Sequence, residues 1–209
     1  MPADPVGRTD TSFSPNFGID RMAHSQISSP ILPWSQDIYL DALVFAAERH
    51  GDQKTPAGFP YVTHLASVAQ EVMAALAVEP GRNGTLAVTA ALLHDVIEDT
   101  ATSLEMVAER FGPDVLAAVM ALTKNSDLPK ERRMPDSLER IQAQPPEVWM
   151  VKLADRIVNL GPPPTHWTRE KMAAYRAEAE TILSALRDAS PFLTHRLERR
   201  IAEYRFHLK

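Results

Sequence analysis

Ala90-Ala91-Leu92-Leu93-His94-Asp95-Val96-Ile97-Glu98-Asp99 is an apolar helical run that turns abruptly into four ionisable side chains. Such groups are costly to bury without partners, so the run demands compensation from elsewhere in the fold. On a helix, residues four apart lie one above the other, which stacks His94 over Glu98 and Asp95 over Asp99. Adjacent side chains diverge by about 100°, so one imidazole and one carboxylate still reach toward a common point. Two readings fit these residues taken alone. One is a helix end with a salt-bridged histidine and a few solvated acids. The other is a metal-ligand pair with an acid/base pair one turn further on.

Working outward, residues 86–97 are apolar on nearly every side and read as a buried central helix, a rigid mount for the cluster. Upstream, Ser35 caps a helix with the stripe Ile38, Ala42, Phe45, Ala46 and Arg49, and Gly51 ends it. The loop Gly51-Asp52-Gln53-Lys54-Thr55-Pro56-Ala57-Gly58-Phe59-Pro60 holds two prolines and two glycines and cannot be regular. It leads through Tyr61 into a second helix beginning near Thr63-His64, with Leu65, Val68, Val72, Met73 and Leu76 inward. His64 therefore sits in a first turn beside the loop, where a surface role is as open to it as a ligand role.

Downstream, Thr102-Ser103-Leu104-Glu105 has the spacing of a capping box, and Gly112-Pro113 restarts a helix with Val115, Leu116, Val119 and Leu122 inward. Residues 124–135 read as a polar loop, and Lys130, Arg132 and Arg133 make it either a solvated segment or the anion-binding edge of a cleft. Asp136-Ser137-Leu138-Glu139 resembles a capped helix start, broken by Pro145-Pro146 before a helix over 148–160. Within that helix Asp155 and Asn159 share a stripe, with Lys152 close by. A Lys152–Asp155 or Asp155–Arg156 ion pair is the simple explanation, and it leaves Asn159 unaccounted for. Gly161-Pro162-Pro163-Pro164 stops the helix; Thr168 opens the next, with Met172, Tyr175, Ala179, Ile182 and Leu186 in one stripe running on to Ala189. Pro191 starts a last helix with Leu193, Leu197, Ile201 and Tyr204 inward and arginines outward.

No segment alternates with period two for long enough to make a strand, and no repeat is present. The expected fold is all-α, a bundle of about eight or nine helices around residues 86–97. Residues 1–33, rich in Pro, Ser, Gly and Asp, read as a flexible arm ahead of a single domain over 34–209. With 209 residues, 44% hydrophobic and 23% charged, the chain supports one substantial core. A net charge of −5 argues against nucleic-acid partners, which require a basic footprint. The absence of cysteine leaves histidines and carboxylates as the available metal ligands. No apolar run reaches the roughly 18 residues a bilayer demands, and no secretory signal is read, so a cytoplasmic location without membrane contact is expected. Nothing in the sequence speaks to oligomeric state.

The ordered set His64, His94-Asp95 and Asp155 resembles the His…His-Asp…Asp pattern of the HD phosphohydrolase superfamily. More narrowly, Gly58-Phe59-Pro60-Tyr61-Val62-Thr63-His64, His94-Asp95-Val96-Ile97-Glu98-Asp99 and Lys152-Leu153-Ala154-Asp155-Arg156-Ile157-Val158-Asn159-Leu160 resemble three blocks of the RelA/SpoT-type alarmone hydrolase domain. Trp167 and Tyr175 extend the likeness over residues 35–190, and with no synthetase segment after it the small stand-alone hydrolases of the MESH1-like kind are the nearest in character.

The resemblance implies a single manganese ion held by His64, His94, Asp95 and Asp155, with Glu98 and Asp99 as the catalytic pair. It implies a small-molecule nucleotide alarmone as substrate, guanosine 3′,5′-bispyrophosphate (ppGpp or pppGpp), which loses its 3′-pyrophosphate to give GDP or GTP. Lys54, Asn159 and Tyr175 match positions that contact the nucleotide. Many relatives carry Arg-Lys shortly before the Gly-x-Pro-Tyr turn, whereas this loop reads Gln53-Lys54-Thr55-Pro56. An adenosine alarmone such as pppApp therefore stands beside the guanosine one. So do another HD phosphohydrolase acting on nucleoside monophosphates or dNTPs and, as a non-enzymatic alternative, a degenerate nucleotide-sensing HD module.

Overall fold

The computed structural model describes residues 32–208, so the arm expected over 1–33 lies, up to residue 31, outside the described residues. In chain order the α-helices are α1 (Gln36–His50), α2 (Val62–Leu76), α3 (Gly84–Leu93), α4 (Val96–Asp99), α5 (Leu104–Phe111), α6 (Pro113–Leu122), α7 (Lys130–Gln142), α8 (Pro146–Asn159), α9 (Arg169–Leu186) and α10 (Pro191–Tyr204). Among the described residues the only extended pairing is an isolated antiparallel bridge between Lys54 and Pro60, and the fold is all-α as expected. No helix there is long and apolar enough to cross a membrane.

α3 is the axis. Every residue of it but Thr85 is buried, and it packs against α1, α2, α6 and α8. Ala87, Ala90 and Ala91 are fully covered, and their short side chains let neighbouring helices approach closely. The entry to α1 is pinned to the start of α3: the Ser35 N–H donates to Thr85 Oγ1 at 3.0 Å. A Cβ on Gly84 would stand 2.3 Å from the Pro33 carbonyl oxygen, so only glycine fits there. Local chemistry sets most boundaries. Ser35, Thr168 and Ser190 each accept from the N–H three residues on, and Gly51, at φ 47, closes α1 by donating to Ala47 O. In the expected capping box the cap is Ser103, accepting from Met106 N, while the Thr102 hydroxyl pairs with that of Thr100.

Two expectations are corrected. The central helix does not run unbroken over 86–97: it ends at Leu93, and a single turn resumes at Val96. Asp95 sits at φ −103, ψ −2, away from regular helix values. The other correction concerns residues 130–135, which are helical and belong to α7, with Pro135 inside it. Pro135 lies in the second turn, where its missing N–H removes one early helix bond. Arg133 donates from Nε to Leu128 O and from Nη2 to Ser126 O, which anchors the preceding loop to the helix. No helix starts at Asp136-Ser137-Leu138-Glu139, which lies inside α7, with Ser137 fully buried.

Candidate metal centre

Two helices and one break between helices deliver the candidate ligands. His64 lies in the first turn of α2, His94 and Asp95 fill the interruption between α3 and α4, and Asp155 projects from α8. The interruption has a function in the geometry, since consecutive residues on a continuous helix diverge whereas here both turn to one point. His94 Nε2 stands 3.0 Å from Asp95 Oδ2 and 3.7 Å from Asp155 Oδ1. His64 Nε2 stands 3.5 Å from Asp155 Oδ1 and 3.7 Å from Asp95 Oδ2. Ligand atoms of His64, His94 and Asp155 all lie within 4.8 Å of one another, and the three residues are buried. Asp95 flanks this triad through its contacts with both imidazoles.

The electrostatics of this cluster call for a cation. His94 Nδ1 is 2.8 Å from the Ala91 carbonyl oxygen, which fixes Nδ1 as a donor and turns Nε2 toward the carboxylates. That Nε2 is buried and has no hydrogen-bond partner of acceptable geometry. Burial opposes charging His94, yet the Asp95 and Asp155 carboxylates outweigh it and carry the imidazole up to about 10. Burial likewise pushes Asp155 upward, but Lys152 and the two histidines win and hold it well below the usual carboxylate range. A buried N/O set that pulls a proton onto an imidazole is short of positive charge. A divalent ion supplies that charge, and two imidazoles with carboxylates suit first-row metals.

Surrounding residues orient the ligands. Lys152 Nζ donates to Asp155 Oδ2 at 3.2 Å, and Asn159 Nδ2 donates to Oδ1 at 2.5 Å. The simple ion pair therefore exists, and Asn159 continues its stripe because it serves the same carboxylate. The Asp155–Arg156 alternative is not formed: Arg156 pairs with Glu178 and stacks over the Tyr175 ring, 4.4 Å from its centroid. The Tyr61 hydroxyl donates to Asp95 Oδ2 at 2.6 Å. Sequence reasoning gave Tyr61 no role, although its place three residues before His64 puts both on one stripe.

Glu98 and Asp99 lie one turn beyond Asp95, each with a partner the sequence did not reveal. Lys124 takes both oxygens of Glu98, its Nζ at 2.9 Å from Oε1 and its backbone N–H at 2.9 Å from Oε2. Burial works against charging Lys124, but Glu98 prevails and raises its pKa. Asp99 Oδ2 accepts from Gln53 Nε2 at 3.1 Å.

A cavity of about 740 Å³ opens beside the triad, within the range of small-molecule sites. Its walls include His64, Tyr61, Asn159, Trp167 and Tyr175, the last two rings meeting edge-on at 5.1 Å. The stiff segment from Gly161 to Trp167 forms part of the rim. Lys54 is exposed on the bridge to Pro60, and it is Thr55 and Pro56 that line the cavity from this loop. Of the basic group on α7, Lys130 and Arg132 are exposed, Arg133 is engaged by backbone carbonyls, and none of the three lines this cavity.

Comparison with known proteins agrees with this geometry. Residues 42–190 match the family model described as HD domain. The chain is 34% identical over 170 residues to the guanosine-3′,5′-bis(diphosphate) 3′-pyrophosphohydrolase MESH1 of Mus musculus, covering 78% of this chain and 93% of that protein. Against its Drosophila melanogaster counterpart the identity is 34% over 166 residues, with 77% and 90% covered. The solved structure of a metazoan SpoT orthologue that hydrolyses ppGpp superposes with a TM-score of 0.70 at 31% identity, covering 81% of this chain and 97% of that one. With its helical architecture, its buried His-His-Asp set and this likeness along most of its length, the chain belongs to the HD-domain family, among the relatives of the MESH1 hydrolases.

Proposed function

We propose that the protein is a metal-dependent alarmone hydrolase that removes the 3′-pyrophosphate of ppGpp or pppGpp, releasing pyrophosphate and GDP or GTP. The observation that carries this reading is the buried donor set of His64, His94 and Asp155, whose His64 also lines a cavity walled by Asn159, Trp167 and Tyr175. The similarity to MESH1 proteins across 78% of the chain supports the substrate class.

In this reading His64, His94, Asp95 and Asp155 hold one divalent ion, manganese, which supplies a Lewis acid for phosphoryl oxygens and for water at the site. Glu98 and Asp99 orient the attacking water and take up its proton, a contribution of about 10²–10⁴-fold. Lys124 keeps the Glu98 carboxylate turned to its task, and Lys152 fixes Asp155. Asn159 and Tyr175 hold the nucleoside, and Lys54, exposed on the loop whose Thr55 and Pro56 line the cavity, offers a cation to the purine or its phosphates. The helices packed around α3 keep bulk water from the buried His94 and Asp155.

One observation keeps an adenosine alarmone as a second reading. Gln53, next to Lys54, is engaged by His50 and Asp99, so the loop presents Thr55 and Pro56 rather than a guanidinium to the cavity. A hydroxyl does not replace the planar donor fork of arginine. The test is a panel of ppGpp, pppGpp, pppApp and dGTP incubated with manganese-loaded protein. Pyrophosphate released from the guanosine alarmones upholds the reading. Release from pppApp alone moves the assignment to the adenosine compound, and turnover of dGTP alone or of none of the four overturns it.

A further inference from the structure

Asp99 is reached by a chain of side chains from the C-terminal end of α1. Gln53 Nε2 donates to Asp99 Oδ2 at 3.1 Å, and the oxygen of the same amide, Oε1, lies 2.7 Å from His50 Nδ1. A carboxylate only accepts, so the amide nitrogen must face Asp99 and the amide oxygen must face His50. The proton on that side of His50 therefore sits on Nδ1. His50 is itself immobilised: it is 5% exposed, and its ring stacks on Tyr61 with centroids 4.7 Å apart at 25°. Tyr61 in turn holds Asp95. The Gln53 backbone is fixed as well, its N–H donating to His50 O and its carbonyl accepting from Tyr61 N, each at 2.9 Å.

Those backbone bonds already close the loop. The side-chain amide adds nothing to loop closure, yet it is held at both ends and reaches a carboxylate 46 positions along the chain. A long, flexible side chain held in one rotamer between a buried imidazole and an acid restricts where that acid points.

We propose that His50 and Gln53 are positioning residues for Asp99. His50 fixes the Gln53 amide, and the amide fixes the carboxylate relative to Asp95 and Glu98. The proposal rests on the hydrolase reading above for its kinetic consequence, and on the relay geometry for its physical content. Gln53→Met keeps the length of the side chain and loses both polar ends. It should lower kcat for the alarmone about 10- to 100-fold, as expected when a reacting group is misplaced, with KM and bound metal per chain unchanged. His50→Phe keeps the stack on Tyr61 and loses the Nδ1 donor, and should give a smaller loss of the same kind. In an Asp99→Asn background, Gln53→Met should cost nothing further, because both act through one group.

Unchanged kcat in Gln53→Met overturns the proposal, as does a raised KM at constant kcat, or losses in Gln53→Met and Asp99→Asn that multiply. A second measurement needs neither turnover nor a stable variant: long-range 1H–15N NMR of wild-type His50 should show the Nδ1–H tautomer, and an Nε2–H tautomer overturns the relay. A wild type that releases no pyrophosphate would thus sink the alarmone reading while the His50 tautomer still decides the relay.

Discussion

The Tyr61 hydroxyl donates to Asp95 Oδ2 across 2.6 Å, and that same oxygen faces His94 Nε2 at 3.0 Å. Burial, together with the charges of Asp95, Asp99 and Asp155, lifts the Tyr61 phenol far above its ordinary value, so it stays a donor at every working pH. Tyr61→Phe deletes the donor and leaves the ring against His50. Removing such an outer partner of a ligand typically costs about 10- to 100-fold in metal affinity. Titration calorimetry with manganese checks it; an affinity equal to wild type would mean that Asp95 is not held in place by Tyr61.

Asp155 stands both in a buried ion pair and in the donor set, and the two roles separate by mutation. Asp155→Ala should abolish metal binding and also leave Lys152, only 5% exposed, without its counter-charge. Stranding one member of a buried pair costs about 3–5 kcal/mol, visible as a lower urea midpoint. Lys152→Met combined with Asp155→Ala should restore most of that stability and none of the metal binding. If stability and metal binding return together, Asp155 is not a ligand.

The helical bundle was legible because its signals are local. Ser35 and Thr168 announce helix starts within three residues of themselves, and the apolar surface read over 86–97 announces a buried axis. The break at His94-Asp95 was not legible. Periodicity registers a helix through that point, while the turn is imposed by partners on α2 and α8 that draw two consecutive side chains to one place. Pro135 misled because proline reads as a helix breaker, whereas in the second turn of α7 it costs one early helix bond and the helix runs through it. The candidate ligands came from an ordered pattern of blocks, and the structure brings His64, His94 and Asp155 together. Lys124 and Gln53 carried no signal, being 26 and 46 positions from the acids they hold.

Glu98→Gln keeps the shape of the side chain and removes its capacity to accept a proton. Turnover should fall by about 10²–10⁴-fold with metal still bound. Lys124→Ala releases Glu98 from its side-chain anchor while the Lys124 backbone N–H remains. It should therefore lower kcat less than Glu98→Gln does, without changing metal stoichiometry. Steady-state kinetics alongside metal analysis distinguishes the two, and a Lys124→Ala enzyme as impaired as Glu98→Gln would place Lys124 itself in the chemistry.

The pH dependence of the metal-free protein follows from His94. Burial disfavours its charged form, but Asp95 and Asp155 carry its folded pKa to about 10 from the ordinary 6.5. A group whose pKa is raised on folding stabilises the native state fully below its unfolded value, and loses that contribution as the pH climbs through the folded one. Metal-free protein should therefore be progressively less stable from pH 6.5 toward 10. Asp95 and Asp155, whose pKa values are lowered, act in the opposite sense: their contribution is present above 3.8 and is lost as the pH falls below it. With a divalent ion in place of the His94 proton, binding below pH 10 releases that proton. Apparent affinity should then rise by about tenfold per pH unit for each proton displaced. Chemical denaturation of the metal-free chain and metal titration over the same pH range provide the two slopes; an affinity flat from pH 6.5 to 8.5 would show that no protonated imidazole stands where the ion goes.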